Sequence, residues 1–245
     1  MDTRRYPKFF YHCTMSEKLL FTCFLLIIGL GYLMALTYLF LSHQNYDSKP
    51  GVSYEDIVYS YYGNRSGTIL ESAIRGNMAG YLTMVERNKM VDWLKNGQTK
   101  EKFEAQVQPT LKNNCVSCHN PTSGLKIPDL TSYEKVLEVS KVDKGASIFT
   151  LVKLSHIHLF GVGLFLFCVG FIFRYAVLPG WIKYPLIVIP FLAIISDITA
   201  WYVTKWDPHY ATVVVISGGA LGLALGCQIL ISLVQIWFLR EPKEE

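Results

Sequence analysis

Residues 19–41 read LLFTCFLLIIGLGYLMALTYLFL, a run of 23 residues without a charged side chain. At 1.5 Å of rise per residue, a helix of about 20 apolar residues crosses a hydrocarbon layer of about 30 Å. The run is longer than the apolar core of about 7–15 residues in a cleaved secretory signal, and no small-residue cleavage site follows it. It therefore predicts a retained transmembrane helix.

Three further apolar segments predict that the chain crosses the membrane four times. They lie at residues 149–173, 184–203 and 211–239. The connections between them are short, so we expect these three helices to be antiparallel neighbours.

The composition fits a protein that is partly embedded and partly in water. Of 245 residues, 51% are apolar and 17% are charged. The net charge of +4 comes from 23 basic and 19 acidic residues spread along the chain, so no nucleic-acid partner is expected. Four of the six cysteines lie in or beside apolar segments, which argues against a disulfide scaffold. These four are Cys13, Cys23, Cys168 and Cys227.

Basic residues before the first span, between the second and third spans, and after the fourth predict the orientation, because such residues favour the cytoplasmic side. They are Arg4, Arg5, Lys8, Lys18, Arg174, Lys183, Arg240 and Lys243. Residues 1–43 would then form a cytoplasmic N-terminus with the first span, and residues 44–147 a domain on the opposite side. Residues 148–245 would form a three-helix bundle with a cytoplasmic C-terminus. In a bacterium, this predicts a multi-pass inner-membrane protein with a periplasmic domain.

The motif Cys115-Val-Ser-Cys118-His119 has the C-x-x-C-H spacing of covalent haem c attachment. Two thiols three residues apart on a helical turn reach the two vinyl groups of one porphyrin, and the adjacent imidazole reaches the iron. A redox dithiol would need a βαβ context, and a zinc site would need a second Cys or His pair, which residues 44–147 lack. The motif predicts one covalent haem c held by Cys115, Cys118 and His119.

The flanking sequence resembles the N-terminal half of small, α-helical, monohaem c-type cytochromes. Apolar residues four positions apart lead into the motif: Phe103, Val107 and Leu111. Pro128 follows His119 by nine residues. The resemblance implies that the Pro128 carbonyl accepts the Nδ1 proton of His119, so that Nε2 binds iron. It also implies a short helix at residues 133–139 over the haem edge.

The sixth iron ligand departs from this resemblance, because no methionine follows Met90. Upstream, residues 66–97 resemble the other half of the same fold, with a loop methionine before a helix opened by a capping box at residues 83–86. We therefore predict a circularly permuted cytochrome c fold with Met78 as axial ligand. The alternatives are a histidine ligand or an open position. Met84 and Met90 are predicted to be packing residues.

Three ionisable residues predicted to lie within spans, at similar depth, are His156, His158 and Asp197. Such residues are costly in a membrane and indicate function. The two histidines point about 200° apart on a helix, so only one can face Asp197. A histidine and a carboxylate could accept protons from a quinol, or two histidines from different helices could bind a haem b. In the structural alternative, Lys153 forms an ion pair with Asp197, and the histidines form hydrogen bonds to the backbone.

As a whole, the sequence resembles membrane-anchored monohaem c-type cytochromes of bacterial respiratory chains. The resemblance implies an electron carrier, rather than a stand-alone enzyme, which contacts the lipid bilayer and passes single electrons between redox partner proteins. Two alternatives stay open. The chain could be a quinol-oxidising or haem b-containing subunit of a respiratory oxidoreductase, or an anchor and assembly subunit of a larger respiratory complex.

Overall fold

A computed structural model describes residues 9–43, 51–125 and 127–241, and within these ranges the chain is helical without a β-strand. In chain order the helices are α1 (Met15–His43), α2 (Tyr54–Tyr61), α3 (Ile69–Arg75), α4 (Met84–Lys95), α5 (Lys100–Lys102), α6 (Gln108–Asn114), α7 (Tyr133–Val139), α8 (Ile148–Phe173), α9 (Gly180–Thr204) and α10 (Ala211–Phe238). An isolated antiparallel bridge joins Thr68 to Val142.

The chain divides into two compact units. The first, here called the span bundle, contains the described residues of Met1–Tyr38, Ile148–Val203 and Thr212–Glu245. The second, here called the interspan domain, contains those of Leu39–Ser147 and Thr204–Ala211. The turn between α9 and α10 therefore groups with the interspan domain.

Four helices are long and apolar enough to cross a membrane, which confirms the predicted number of spans. They are α1, α8, α9 and α10, the last together with the 3₁₀ turn at Pro208–Tyr210. The third span begins earlier than predicted, at Gly180 rather than at residue 184. Pro185 lies inside this helix, five residues after its start, so a proline does not by itself mark where the span begins.

The N-terminal segment, the α8–α9 turn and the end of the chain lie at the same end of the span bundle. The Phe10 side chain is buried, and its N–H donates to the Tyr175 carbonyl at 3.3 Å. His12 Nε2 lies 3.6 Å from Glu241 Oε1. An even number of crossings requires this arrangement of the two chain ends.

Side chains satisfy the backbone groups that the α8–α9 turn leaves without helical partners. Lys183 Nζ donates to the carbonyls of Arg174 and Ala176, at 2.6 and 2.8 Å. The Gln235 amide accepts from Val177 N–H at 2.7 Å and donates to Val177 O at 3.1 Å. The last carbonyls of a helix need such partners where water is scarce.

A proline within α9 explains a buried amide on α10. Pro190 has no N–H, so the Leu186 carbonyl, four residues earlier, loses its helical partner. Gln228, almost fully buried, donates its Nε2 hydrogen to that carbonyl. Neighbouring helices commonly repair proline breaks within a membrane in this way.

The interspan domain has a hydrophobic core with residues from two segments of the chain, 70–94 and 103–136. Its members are Leu70, Ile74, Leu82, Met90, Val91, Trp93, Leu94, Phe103, Val107, Leu111, Leu130 and Val136. At its centre the rings of Trp93 and Phe103 lie 5.5 Å apart, and those of Phe103 and Tyr133 lie 5.4 Å apart. The two segments predicted as halves of one fold, residues 66–97 and 103–139, therefore pack into the same core.

The helix that leads into the C-x-x-C-H motif is continuous from α5 through α6, with a π-helical turn at Phe103–Val107. Pro109 explains this turn, because it cannot donate the hydrogen bond of a regular α-helix. Gln108 N–H instead bonds to the Phe103 carbonyl, five residues earlier. Phe103, Val107 and Leu111 are all buried, as their spacing predicts.

The α9–α10 turn is bound tightly within the interspan domain. Lys205 Nζ donates to the carbonyls of Tyr61, Lys144 and Ala146, at 3.2, 2.8 and 2.6 Å. Arg65 Nη2 donates to the Lys205 carbonyl at 2.7 Å. A lysine that ends a span thus holds three loop carbonyls together.

Asp143 organises the same region. Its Oδ2 accepts from Ser72 Oγ at 2.7 Å and from Asn64 N–H at 3.3 Å, and its Oδ1 accepts from Gly145 N–H at 2.8 Å. Gly63 and Gly145 both have positive φ, +86° and +66°, and their backbones touch. Only glycine, which has no Cβ, allows the two backbones to come so close together.

We expect Gly145→Ala to destabilise the interspan domain far more than Gly97→Ala. Both glycines have positive φ, but a Cβ at Gly145 would lie 2.4 Å from the Tyr61 carbonyl oxygen, whereas a Cβ at Gly97 would meet open space. The matched control should cost about 1 kcal/mol, and Gly145→Ala about 3 kcal/mol or more. Hydrogen–deuterium exchange of the detergent-solubilised chain measures both, and equal costs would contradict the packing at Gly145.

Candidate functional site

The C-x-x-C-H motif forms a helical turn directly after α6. The N–H groups of Cys115 and Val116 donate to the Leu111 carbonyl, both at 2.9 Å. Cys118 and His119 donate their N–H groups to the Cys115 carbonyl, at 3.1 and 2.9 Å. Cys115 is half-buried and packs against the domain core, whereas Cys118 is exposed and both thiols are free. One turn therefore presents two thiols and an imidazole.

The His119 ring is oriented by a backbone carbonyl. Its Nδ1 lies 2.8 Å from the Pro128 oxygen, the contact that the resemblance implies. Because a carbonyl can only accept, the proton must sit on Nδ1, which leaves Nε2 with a free lone pair. Leu130 N–H donates to the His119 carbonyl at 3.1 Å and holds the same loop.

Several apolar side chains are exposed near the motif. Asn114 Nδ2, one residue before Cys115, donates to Glu86 Oε1 at 3.1 Å, so the first turn of α4 lies beside the motif. Exposed apolar side chains occur on that turn and on the loop around Pro128, and exposed apolar patches commonly mark binding sites. They are Tyr81, Met84, Val85, Leu125 and Ile127.

No group of three or more His, Cys, Asp or Glu side chains comes together among the described residues, so a protein-only metal cage is not assembled there. This finding does not test a haem, because the porphyrin itself supplies four nitrogen ligands to its iron.

The structure separates the three methionines of the interspan domain. Met90 is fully buried in the core, as predicted, but Met84 is 73% exposed, so its prediction as a packing residue is wrong. Met84 is the first residue of α4, whereas the buried residues of this helix lie in its second half, from Met90 onward. Met78 is half-buried in the loop before that helix.

Two of the three predicted intramembrane residues come together in the span bundle. Trp201 Nε1 donates to Asp197 Oδ1 at 3.2 Å. The His158 ring packs edge-on against Trp201, with ring centroids 5.4 Å apart. His158 Nδ1 lies 2.8 Å from the Leu154 carbonyl, so His158 also has its proton on Nδ1. We call His158, Trp201 and Asp197 the intramembrane cluster.

His156 does not join this cluster. It is exposed, whereas His158 and Asp197 are half-buried. The structural alternative holds in part, because His158 bonds to a backbone carbonyl as it predicts. Its pairing of Lys153 with Asp197 is not seen, since Lys153 is exposed and Asp197 accepts a hydrogen bond from Trp201. Trp201 was missed by sequence reasoning, although its position four residues after Asp197 places both on one helix face.

Span α1 packs against α10 through Tyr32. The Tyr32 hydroxyl occupies the space where Gly222 lacks a side chain. Glycines recur at every fourth position of α10, at Gly218, Gly222 and Gly226. Of these, Gly222 serves packing within the chain.

The histidines of the span bundle do not provide a pair from two helices. His156 and His158 both belong to α8, and His12 lies at the end of the bundle that carries the α8–α9 turn. A haem b between two helices needs one histidine from each. The quinol and haem b alternatives both stay predictions.

Comparison with known proteins identifies the membrane part. Residues 130–243 match the family model Aq_1264_TM, described as a transmembrane helical domain. The matched stretch covers α7 to α10 and excludes the C-x-x-C-H motif. Neither a curated protein nor a solved structure matches the chain. The chain is an integral multi-pass membrane protein with four candidate spans.

We expect Cys118 to be alkylated faster than Cys115 in haem-free protein. Burial raises the pKa of the Cys115 thiol, and the neighbouring Glu86 carboxylate adds to the rise. Since the thiolate is the nucleophile, a raised pKa slows the reaction at neutral pH. Mass spectrometry after timed maleimide labelling measures both rates. The difference should vanish in denaturant, and equal rates in the folded protein would contradict it.

Proposed function

We propose that the protein is a membrane-anchored monohaem c-type cytochrome that transfers single electrons in a respiratory chain. The observation that carries this proposal is the helical turn with both motif thiols, followed by the His119 imidazole with its Nδ1 committed to the Pro128 carbonyl. An imidazole held in this tautomer is ready to bind iron through Nε2.

Three residues of the motif would hold the haem, each through a different atom or bond. Cys115 and Cys118 would each form a thioether bond to the porphyrin, and His119 would be an axial ligand. A haem bound in this way supplies one-electron redox chemistry at its iron. The exposed apolar residues on α4 and around Pro128 would exclude water from one side of the group.

We place the interspan domain in the periplasm of a bacterium, with both chain ends in the cytoplasm. The basic residues at the chain ends and in the α8–α9 turn support this orientation. Covalent haem attachment in bacteria takes place on the periplasmic side, so the motif and the orientation agree. The spans make the lipid bilayer a permanent contact, and redox proteins are the proposed partners.

Haem staining after denaturing electrophoresis tests the proposal directly. The wild-type band should stain, and its pyridine haemochrome spectrum should give one haem c per chain. The double variant Cys115→Ser/Cys118→Ser should lose the stain, because no thioether bond can form. The matched double variant Cys23→Ser/Cys227→Ser, altered only in α1 and α10, should keep it. A colourless wild-type band would overturn the proposal.

For the sixth ligand we propose Met78, since it lies in the loop that leads to the α4 turn beside the motif. Ferric protein should show the weak far-red absorption band of sulfur bound to iron, and Met78→Ala should abolish it and lower the reduction potential. Met84→Ala and Met90→Leu are the controls that should keep the band. Loss of the band in Met84→Ala instead would transfer the role to Met84.

A further inference from the structure

The intramembrane cluster presents two hydrogen-bond acceptors in a region that should be apolar. His158 Nδ1 donates to the Leu154 carbonyl, so His158 Nε2 is left as an acceptor. Asp197 receives a hydrogen bond from Trp201 on Oδ1. An ionisable residue in a span is costly and is usually retained for a function.

The cluster lies inside the two span helices and not at their ends. Asp197 precedes the end of α9 by seven residues, or about 10 Å along the helix. His158 follows the start of α8 by ten residues, or about 15 Å. Both side chains are half-buried, so a molecule dissolved in the lipid can reach them from the side.

The chemistry of the cluster selects its ligand. Two acceptors beside an indole ring match a flat aromatic ring that carries two hydroxyl donors. We infer that the intramembrane cluster binds the head group of a lipid-soluble quinol, with its hydroxyls donating to Asp197 and to His158 Nε2, and with Trp201 as the aromatic wall.

This inference deepens the proposed function, because it names the class of electron donor, and that part of it rests on the proposed function. Oxidation of a quinol releases two electrons and two protons. The electrons would leave singly to the ferric haem c of the proposed function, and Asp197 and His158 would accept the protons. Binding itself requires no haem.

Photo-crosslinking of the full chain in liposomes tests the binding site. An azido-quinone with a short alkyl tail, reduced before use, should label the protein saturably, and the label should map to α8 around residue 158 and α9 around residue 197. His158→Leu and Asp197→Asn should each raise the half-saturating concentration about tenfold, the loss expected for one strong hydrogen bond. Asp197→Asn preserves the acceptor for Trp201, so folding is retained.

His156→Leu is the matched control, since it removes an exposed histidine two residues away on the same helix. It should leave the half-saturating concentration unchanged. Equal effects of the two histidine variants, or labelling that never saturates, would overturn the site. The haem-free variant Cys115→Ser/Cys118→Ser should bind the probe as wild type does. A failed haem test would therefore leave quinol binding standing, and failed probe binding would leave the haem proposal untouched.

Discussion

The scarcity of water in a bilayer is the constraint from which most of this structure follows. A backbone carbonyl that loses its partner there must find another within the protein. Pro190 frees the Leu186 carbonyl, and Gln228 on α10 satisfies it. At the α8–α9 turn, Lys183 and Gln235 do the same for several backbone groups. These three polar side chains, Lys183, Gln228 and Gln235, therefore serve to satisfy backbone groups.

The intramembrane cluster differs from these repairs. Asp197 interacts with an indole and not with a broken helix, and the α9 backbone around it continues without interruption to Thr204. Replacing it with an apolar residue would leave no carbonyl unpaired in the helix. No break in the helix backbone therefore explains why a carboxyl group is placed in this span, which is why we propose a functional role for it.

Hydropathy predicted the spans because crossing a membrane depends on length and composition alone. Which helix faces meet depends on packing between helices, so the partnership of Trp201 with His158 could not be derived from either segment. Spacing predicted the buried face of Phe103, Val107 and Leu111, whereas residue type alone failed for Met84, which begins α4 and is exposed. Neither the role of Lys205 nor the approach of Gly63 to Gly145 has a sequence signal, since both join distant loops.

His119 and His158 occupy different environments but share one device. In each, Nδ1 donates to a backbone carbonyl at 2.8 Å, which fixes the ring and directs Nε2 outward as a lone-pair donor. Beside two thiols, such a nitrogen is suited to iron. Beside a carboxylate and an indole, it is suited to a proton. Under the two proposals, the same tautomer would support electron transfer in one unit and proton acceptance in the other, because the neighbouring residues decide what the free nitrogen binds.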